Sequence, residues 1–331
     1  MIITKTPFRM SFFGGGTDFR EFFNEYGGSV LSTTIDKYCY VNVRAVPKIF
    51  DYSTELVYAK KERVTCIDDI EHPAVRNAMK YLGIDNIRLA YEADLPARSG
   101  IGTSSSFAVG MLNAFYAMQG KFADAKKLAD DAIYLERTLC AEVGGLQDQI
   151  AAAFGGFNRI NFSQDGYEVC PVAINQERKK ALEKNLIMFF TGFTRLSAEV
   201  QKTNKPYLQT EKLKKMLTLV DDAEKILVDS QRDIDDFGRL LDETWSLKRE
   251  TGKTVTTDYI DELYNKAISA GALGGKLLGA GGGGHLIFYV PRENREKLIS
   301  AMDGCLHIPF EFENTGSKVI HYTPETQFGG D

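Results

Sequence analysis

The chain has 331 residues, 44% hydrophobic and 26% charged, which suffices for one large or two moderate cores and differs from disordered, fibrous or low-complexity chains. Its net charge of -5 argues against a nucleic-acid partner, because the cationic clusters at 179–180 and 212–215 sit among acids and read as solvated helix faces. No run approaches the roughly 18 apolar residues of a membrane span, and the N-terminus lacks a signal-peptide pattern, so a soluble cytoplasmic protein with no membrane partner is expected.

In chain order, alternating β-branched and aromatic residues predict strands over 2–6, 30–46 and 87–92. A Gly/Ser-rich turn at 96–106 then precedes a helix over 107–118. A second helix, 122–140, carries Leu128, Ala132, Leu135 and Leu139 on one stripe and stops before Gly144 and Gly145. A third, 147–154, ends at Gly155 and Gly156. The turn at 164–166 separates two strand-like pieces, and an apolar strand follows over 185–190. A domain boundary is expected near Gln176, giving units 1–176 and 177–331. Residues 205–248 read as two long amphipathic helices, 258–270 as a third, 285–290 as a strand and 318–322 as the last strand. Strands and helices interleave without the regular repeat of a doubly wound sheet, which predicts a two-domain α+β protein.

The five cysteines, Cys39, Cys66, Cys140, Cys170 and Cys305, are scattered and odd in number, so reduced thiols are expected. The histidines His72, His285, His307 and His321 never fall at helical ligand spacing, which argues against a protein-bound transition metal. Gly279 to Gly284 matches G-x-G-x-x-G but leads into a strand, where a dinucleotide site needs a helix. Gly275-Lys276 does not complete a Walker loop either. Segment 96–106, Pro-Ala-Arg-Ser-Gly-Ile-Gly-Thr-Ser-Ser-Ser, supplies glycines and hydroxyls directly before a helix. That arrangement suits a phosphate at the helix N-terminus, although a serine-rich helix cap has the same composition.

Three segments taken together resemble the ordered motifs of the GHMP kinases. Pro7 to Asp18 (Pro-Phe-Arg-Met-Ser-Phe-Phe-Gly-Gly-Gly-Thr-Asp) is similar to the first motif, 96–106 to the second and Lys276 to Gly284 to the third. The resemblance implies an N-terminal domain like ribosomal protein S5 domain 2, a ferredoxin-like C-terminal domain, and ATP bound between them with Mg2+. It assigns Arg98, Ser99, Gly100, Ile101, Gly102, Thr103, Ser104 and Ser105 to the phosphates. Asp148 falls at the catalytic aspartate, and Arg9 at the basic residue beside it. A helix N-cap is the plainer role for Asp148. Glu136 lies four residues after Ala132 and three before Leu139, so it faces the apolar side and needs a cation; the resemblance makes that cation Mg2+, shared with Ser104, and an ion pair is the alternative.

Galactokinases carry Gly-Glu-His-Thr-Asp where this chain has Gly14, Gly15, Gly16, Thr17 and Asp18. The missing side chains leave room for a larger or more anionic acceptor, with Asp18 still able to accept hydroxyl protons. This run and 191–197 most resemble the branch acting on D-glycero-D-manno-heptose 7-phosphate, which forms the 1,7-bisphosphate on the GDP-heptose route. Arg195 is the first candidate for the acceptor's own phosphate, ahead of Arg20 and Lys37. A kinase of an unphosphorylated sugar such as fucose or galactose, a non-catalytic sugar sensor, or a decarboxylase on the same fold are the alternatives. Gly281, Gly282 and Gly283 are expected to be structural. A monomer or homodimer is expected.

Overall fold

The computed structural model describes residues 1–193 and 205–323. Strands β1 (Ile2–Phe13) and β2 (Gly28–Ala45) form a long antiparallel pair, joined by helix α1 (Arg20–Tyr26). The first motif is thus mostly strand: Phe8, Met10, Phe12 and Phe13 are all buried, and register shifts at Pro7/Phe8 and Ser11/Phe13 bend β1. Around this pair grow β3 (Thr54–Val57), β4 (Lys61–Val64), β5 (Ile87–Ala93), β6 (Phe157–Ser163) and β7 (Gly166–Pro171). One half of β2 pairs with β6 and the other with β5, so this 18-residue strand spans the sheet.

Helices α2 (Pro73–Leu82), α3 (Thr103–Met118), α4 (Ala125–Ile133) and α5 (Gln147–Phe154) cover one face of the sheet. Helix α3 is buried on nearly every side, as its apolar composition requires. The expected single helix over 122–140 differs in two ways. It begins at Ala125, where Asp124 accepts from the Lys127 N–H at 2.7 Å and leaves Phe122 exposed. It then widens into a π-helical turn over Tyr134–Leu139, a bulge of the kind found at functional sites.

Helix α6 (Gln176–Asn185) starts at the expected boundary and leads to β8 (Leu186–Phe190). Helices α7 (Thr210–Val228), α8 (Asp236–Arg249) and α9 (Asp258–Ser269) follow, then β9 (Gly274–Leu277), β10 (His285–Tyr289), α10 (Arg295–Ala301) and β11 (Leu306–Ile308). The second sheet runs β11-β8-β10-β9. It is buried on both faces: Leu286 and Phe288 pack toward α9 and α10, whereas Ile287 and Tyr289 pack toward the first sheet.

The last two strands, β12 (Phe312–Glu313) and β13 (Lys318–Tyr322), return to the first sheet, pairing with β2 and β1. The sequence expectation of a unit running from 177 to the C-terminus is corrected here, because 312–322 completes the N-terminal sheet. Its Ser317 hydroxyl bonds Thr6 at 2.8 Å and receives the Asn113 amide at 3.1 Å. Helix α7 also lies on that sheet, burying Leu219, Val220, Ala223 and Leu227 against Phe8, Met10 and Leu31. Phe237 of α8 stands edge-on to Phe12 and Phe13, with ring centroids 5.3 and 5.1 Å apart. All five cysteines are free.

Candidate active site between the two sheets

The 96–106 turn places its chain by backbone geometry. Arg98, Gly100 and Gly102 all have positive φ, and α3 begins at Thr103 with no side-chain cap. The N–H groups of its first turn therefore face outward, where they and the helix dipole favour an anion. Gly100 admits no side chain: a Cβ there would lie 2.3 Å from the Leu278 carbonyl oxygen. On the other side of the contact, the His285 N–H donates to Ser99 O at 3.1 Å. The third glycine segment is thus the brace of the second.

A cavity of about 870 Å³ opens here, a volume suited to a ligand of nucleotide size. One arm is apolar and aromatic, lined by Leu56, Tyr58, His72, Leu89, Tyr91 and Phe107. Tyr91 meets Phe107 edge-on with centroids 5.0 Å apart, and His72 Nδ1 is buried without a partner. The other arm is polar. Arg9, Ser11, Gly15, Gly16, Asp18, Gln147 and Asp148 come from the first unit, and Lys248, Thr251, Lys276 and Gly279 from the second.

At its centre, buried Arg9 holds Asp148 in a two-pronged ion pair: Nε to Oδ1 at 2.7 Å and Nη2 to Oδ2 at 2.9 Å. Nη1 donates to Gly100 O at 2.6 Å, so the same guanidinium ties β1 and α5 to the phosphate-type loop. Asp148 lies in the first turn of α5 but does not cap it. Asp18 is buried, and burial pushes its carboxyl above the ordinary range, aided by the Asp148 charge and opposed by N–H bonds. Those bonds come from Gly16 at 2.9 Å, Gln147 N at 3.2 Å and Gln147 Nε2 at 3.1 Å. Gly145 must lack a side chain, since a Cβ there would lie 1.9 Å from Asp18 Oδ2.

Glu136 is buried on the π-helical turn, and burial raises its pKa to about 7 despite the Arg137 guanidinium nearby. Its carboxylate accepts from Ser105 Oγ at 2.9 Å and from the Gln149 amide. The hydroxyl touching Glu136 belongs to Ser105, while Ser104, expected to share a cation with Glu136, is exposed and lines the cavity. The reason is helical phase: Ser104 opens outward from the first turn of α3 while Ser105 turns inward.

Several other expected site residues sit elsewhere. Gly14 and Thr17 do not line the cavity; they are corrected to structural roles. Gly14 (φ 79°) packs on Ser29, whose carbonyl oxygen would lie 1.9 Å from an added Cβ. Thr17 Oγ1 donates to Gly14 O at 2.8 Å and accepts from Ser29 N at 3.1 Å. Ser99 and Ile101 are likewise buried behind the loop, Ser99 Oγ donating to Pro96 O at 2.6 Å and Ile101 O receiving the Arg9 N–H at 3.0 Å. Arg98, Gly100, Gly102, Thr103, Ser104 and Ser105 do face the cavity, Thr103 Oγ1 also accepting from Arg98 N. Gly281 and Gly282 pack on Val255, and Gly283 on Phe193. Arg20 is exposed on α1, Lys37 pairs with Asp36, and neither lines the cavity. Arg195 lies outside the described residues.

Sequence reasoning missed Ser11, Gln147 and Lys248. Ser11 Oγ and Gln147 Oε1 are buried without hydrogen-bond partners, close to the space that a side chain on Gly15 would take. Only Gln147 had a signal, its place beside Asp148 after a glycine turn. Among the described residues no helix is long and apolar enough to cross a membrane.

An uncapped helix end, a braced glycine loop and an arginine-aspartate pair in one interdomain cavity define a phosphotransferase-type site. Family comparison agrees: residues 69–156 match the GHMP kinases N-terminal domain and 221–307 the GHMP kinases C-terminal domain. The chain is 31% identical over 316 residues to a D-glycero-alpha-D-manno-heptose 7-phosphate kinase of Campylobacter jejuni, covering 91% of this chain and 93% of that one. In fold it is similar to the crystal structure of a D-glycero-D-manno-heptose 1-phosphate kinase from Bacteroides thetaiotaomicron (TM-score 0.80, 24% identity, 98% and 100% coverage). It is also similar to Lactococcus lactis galactokinase complexed with galactose (TM-score 0.71, 18% identity, 96% and 94% coverage). The chain belongs to the GHMP kinase family. As a member, the chain is an ATP-dependent phosphotransferase.

Proposed function

We propose that the protein transfers the γ-phosphoryl group of ATP to the anomeric hydroxyl of D-glycero-D-manno-heptose 7-phosphate, giving the 1,7-bisphosphate, in the cytoplasm on the GDP-heptose route. The observation that carries this reading is the Arg9–Asp148 pair set between the uncapped N-terminus of α3 and a hollow floored by Gly15 and Gly16. A donor phosphate on one side and an acceptor hydroxyl on the other would meet at that pair. The Campylobacter relative, named for the same sugar phosphate, supports the choice of acceptor.

In this reading Asp148 takes or orients the proton of the acceptor hydroxyl, and Arg9 fixes the carboxylate and matches charge on the phosphoryl group. The acceptor's hydroxyl oxygen bonds the γ-phosphorus as the bond to the β,γ-bridging oxygen breaks, and ADP leaves with the electron pair. The N–H groups of Thr103 to Ser105 and the Arg98 loop cradle the remaining phosphates. The purine sits in the aromatic arm, against Tyr91, Phe107 and His72. Glu136, a buried carboxylate facing the cavity whose ion-pair partner Arg137 stands off at 3.6 Å, fits a divalent cation together with the open hydroxyl of Ser104. Bound there, Mg2+ would neutralise phosphate charge. On the acceptor side, Asp18 retains lone pairs beyond its three N–H bonds, and Ser11 and Gln147 offer polar atoms.

A screen of ATP consumption across sugars and sugar phosphates tests the acceptor. The heptose 7-phosphate should be turned over with the highest kcat/KM; equal or better turnover of fucose, galactose or unphosphorylated heptose would contradict the reading.

A further inference from the structure

Lys248 lies in the last turn of α8, outside all three glycine-rich segments, yet its ammonium reaches the polar arm of the cavity. It donates to the carbonyl of Gly279 and, at 3.5 Å, toward that of Leu277. Among the described residues no carboxylate lies within 4.0 Å of it. The cations around it are Arg9 from β1 and Lys276 from β9; the acids are Asp18 from the loop after β1 and Asp148 from α5. Neither acid is free to neutralise it, because Arg9 occupies Asp148 and three N–H groups occupy Asp18. Lys276 is buried and donates to Phe12 O at 2.7 Å, and burial, with Lys248 and Arg9 beside it, holds its pKa well below the ordinary range, so it is a weak contributor to the charge here.

The anchors are in contact. Arg9 is tied to Gly100 O, Lys248 to Gly279 O, and a Cβ on Gly279 would lie 2.5 Å from Gly100 Cα. The two cations therefore stand on either side of the junction between the two glycine loops, one from each unit. A cation held away from water beside Arg9, with the two nearby acids Asp18 and Asp148 already engaged by other donors, is costly until an anion arrives.

We propose that Lys248 is a second catalytic cation, which with Arg9 binds the phosphoryl group in transit from ATP to the acceptor oxygen. The assignment rests on the kinase reading above. Lys248 forms no covalent bond and removes no proton; it matches charge on the oxygens of the transferring group, as fixed donors do in a dry site. Burial, with Arg9 adding to it, lowers its pKa to about 8. The free enzyme thus carries the required charge below that pH and loses it above, and binding of a phosphate should draw a proton in.

The test compares wild type, Lys248→Met and Lys248→Arg, each checked for an unchanged thermal transition. Lys248→Met should lower kcat about 100- to 1000-fold while KM for ATP and acceptor stays within about threefold. In wild type kcat/KM should fall as pH rises through about 8, and Lys248→Arg, charged throughout, should recover part of the rate and lose that limb. Calorimetry of Mg·ATP binding at pH 8, in two buffers of different ionisation enthalpy, reads the lysine without turnover. Wild type should take up about half a proton, and both variants none. A Met variant within about threefold of wild-type kcat, a loss confined to KM for the sugar phosphate, or identical proton uptake in all three proteins would each overturn the proposal. If wild type turned over no sugar phosphate, the functional reading would fail while proton uptake still judged Lys248.

Discussion

Arg9 and Asp148 lie 139 residues apart in the chain, and each alone has an ordinary explanation as a surface cation or a helix cap. Their bidentate contact removes both explanations and gives the pair a common geometry with the loop at Gly100. Asp148→Asn keeps the size but weakens the base, so kcat should drop about 100- to 10,000-fold while ATP affinity changes little; titration calorimetry and steady-state rates check both halves. Glu136 gives a prediction of opposite sign for stability. Its folded pKa of about 7 lies above the ordinary 4.5, so its contribution to stability is full below pH 4.5 and is lost as pH rises through 7. In the metal-free protein Glu136→Gln should therefore raise thermal stability at pH 8 by roughly 3 kcal/mol and leave it nearly unchanged or lower at pH 5. Melting curves at the two pH values decide it; an equal loss at both would contradict it.

The elements show where sequence reading stops. The presence of three glycine-rich segments was legible, because each interrupts the hydrophobic pattern. Which glycines serve a ligand was not, since that depends on what stands opposite. Gly14 and Gly15 are neighbours with different fates. A side chain on Gly14 would strike Ser29 in a left-handed backbone, whereas one on Gly15 meets only Gln147 Nε2 at 3.7 Å and Ser11 Oγ at 3.9 Å. Gly14→Ala should thus destabilise the fold by several kcal/mol. Gly15→Ala should fold normally yet raise KM for the acceptor, and denaturation and kinetics together separate the two. The π-helical turn at Tyr134–Leu139 was equally hidden: counting along an ordinary helix did aim Glu136 inward, but not toward Ser105. Lys248 carried no signal, being one more lysine on a charged helix.

At the scale of the molecule, the α+β class and the interdomain cleft followed from the interleaved pattern and the resemblance of three ordered motifs. A unit running from 177 to the C-terminus does not hold together as one, because its last strands complete the first sheet. Strand β12 is two residues long and pairs with a partner 277 residues earlier, Phe312 with Ile35, too short a segment for periodicity to detect. Residues 1–176 alone would lack β12, β13 and helix α7 and would expose Phe8, Met10 and Phe12. That fragment should show neither a cooperative thermal transition nor near-ultraviolet dichroism, and a sharp transition would show the first unit to be self-sufficient.

Phosphorus NMR of the complete protein incubated with Mg·ATP and D-glycero-D-manno-heptose 7-phosphate tests the central claim most directly. The predicted result is ADP together with one new phosphate resonance coupled to the anomeric proton, the 7-phosphate signal remaining in place. Absence of turnover, or a new phosphate on any other carbon, would contradict it.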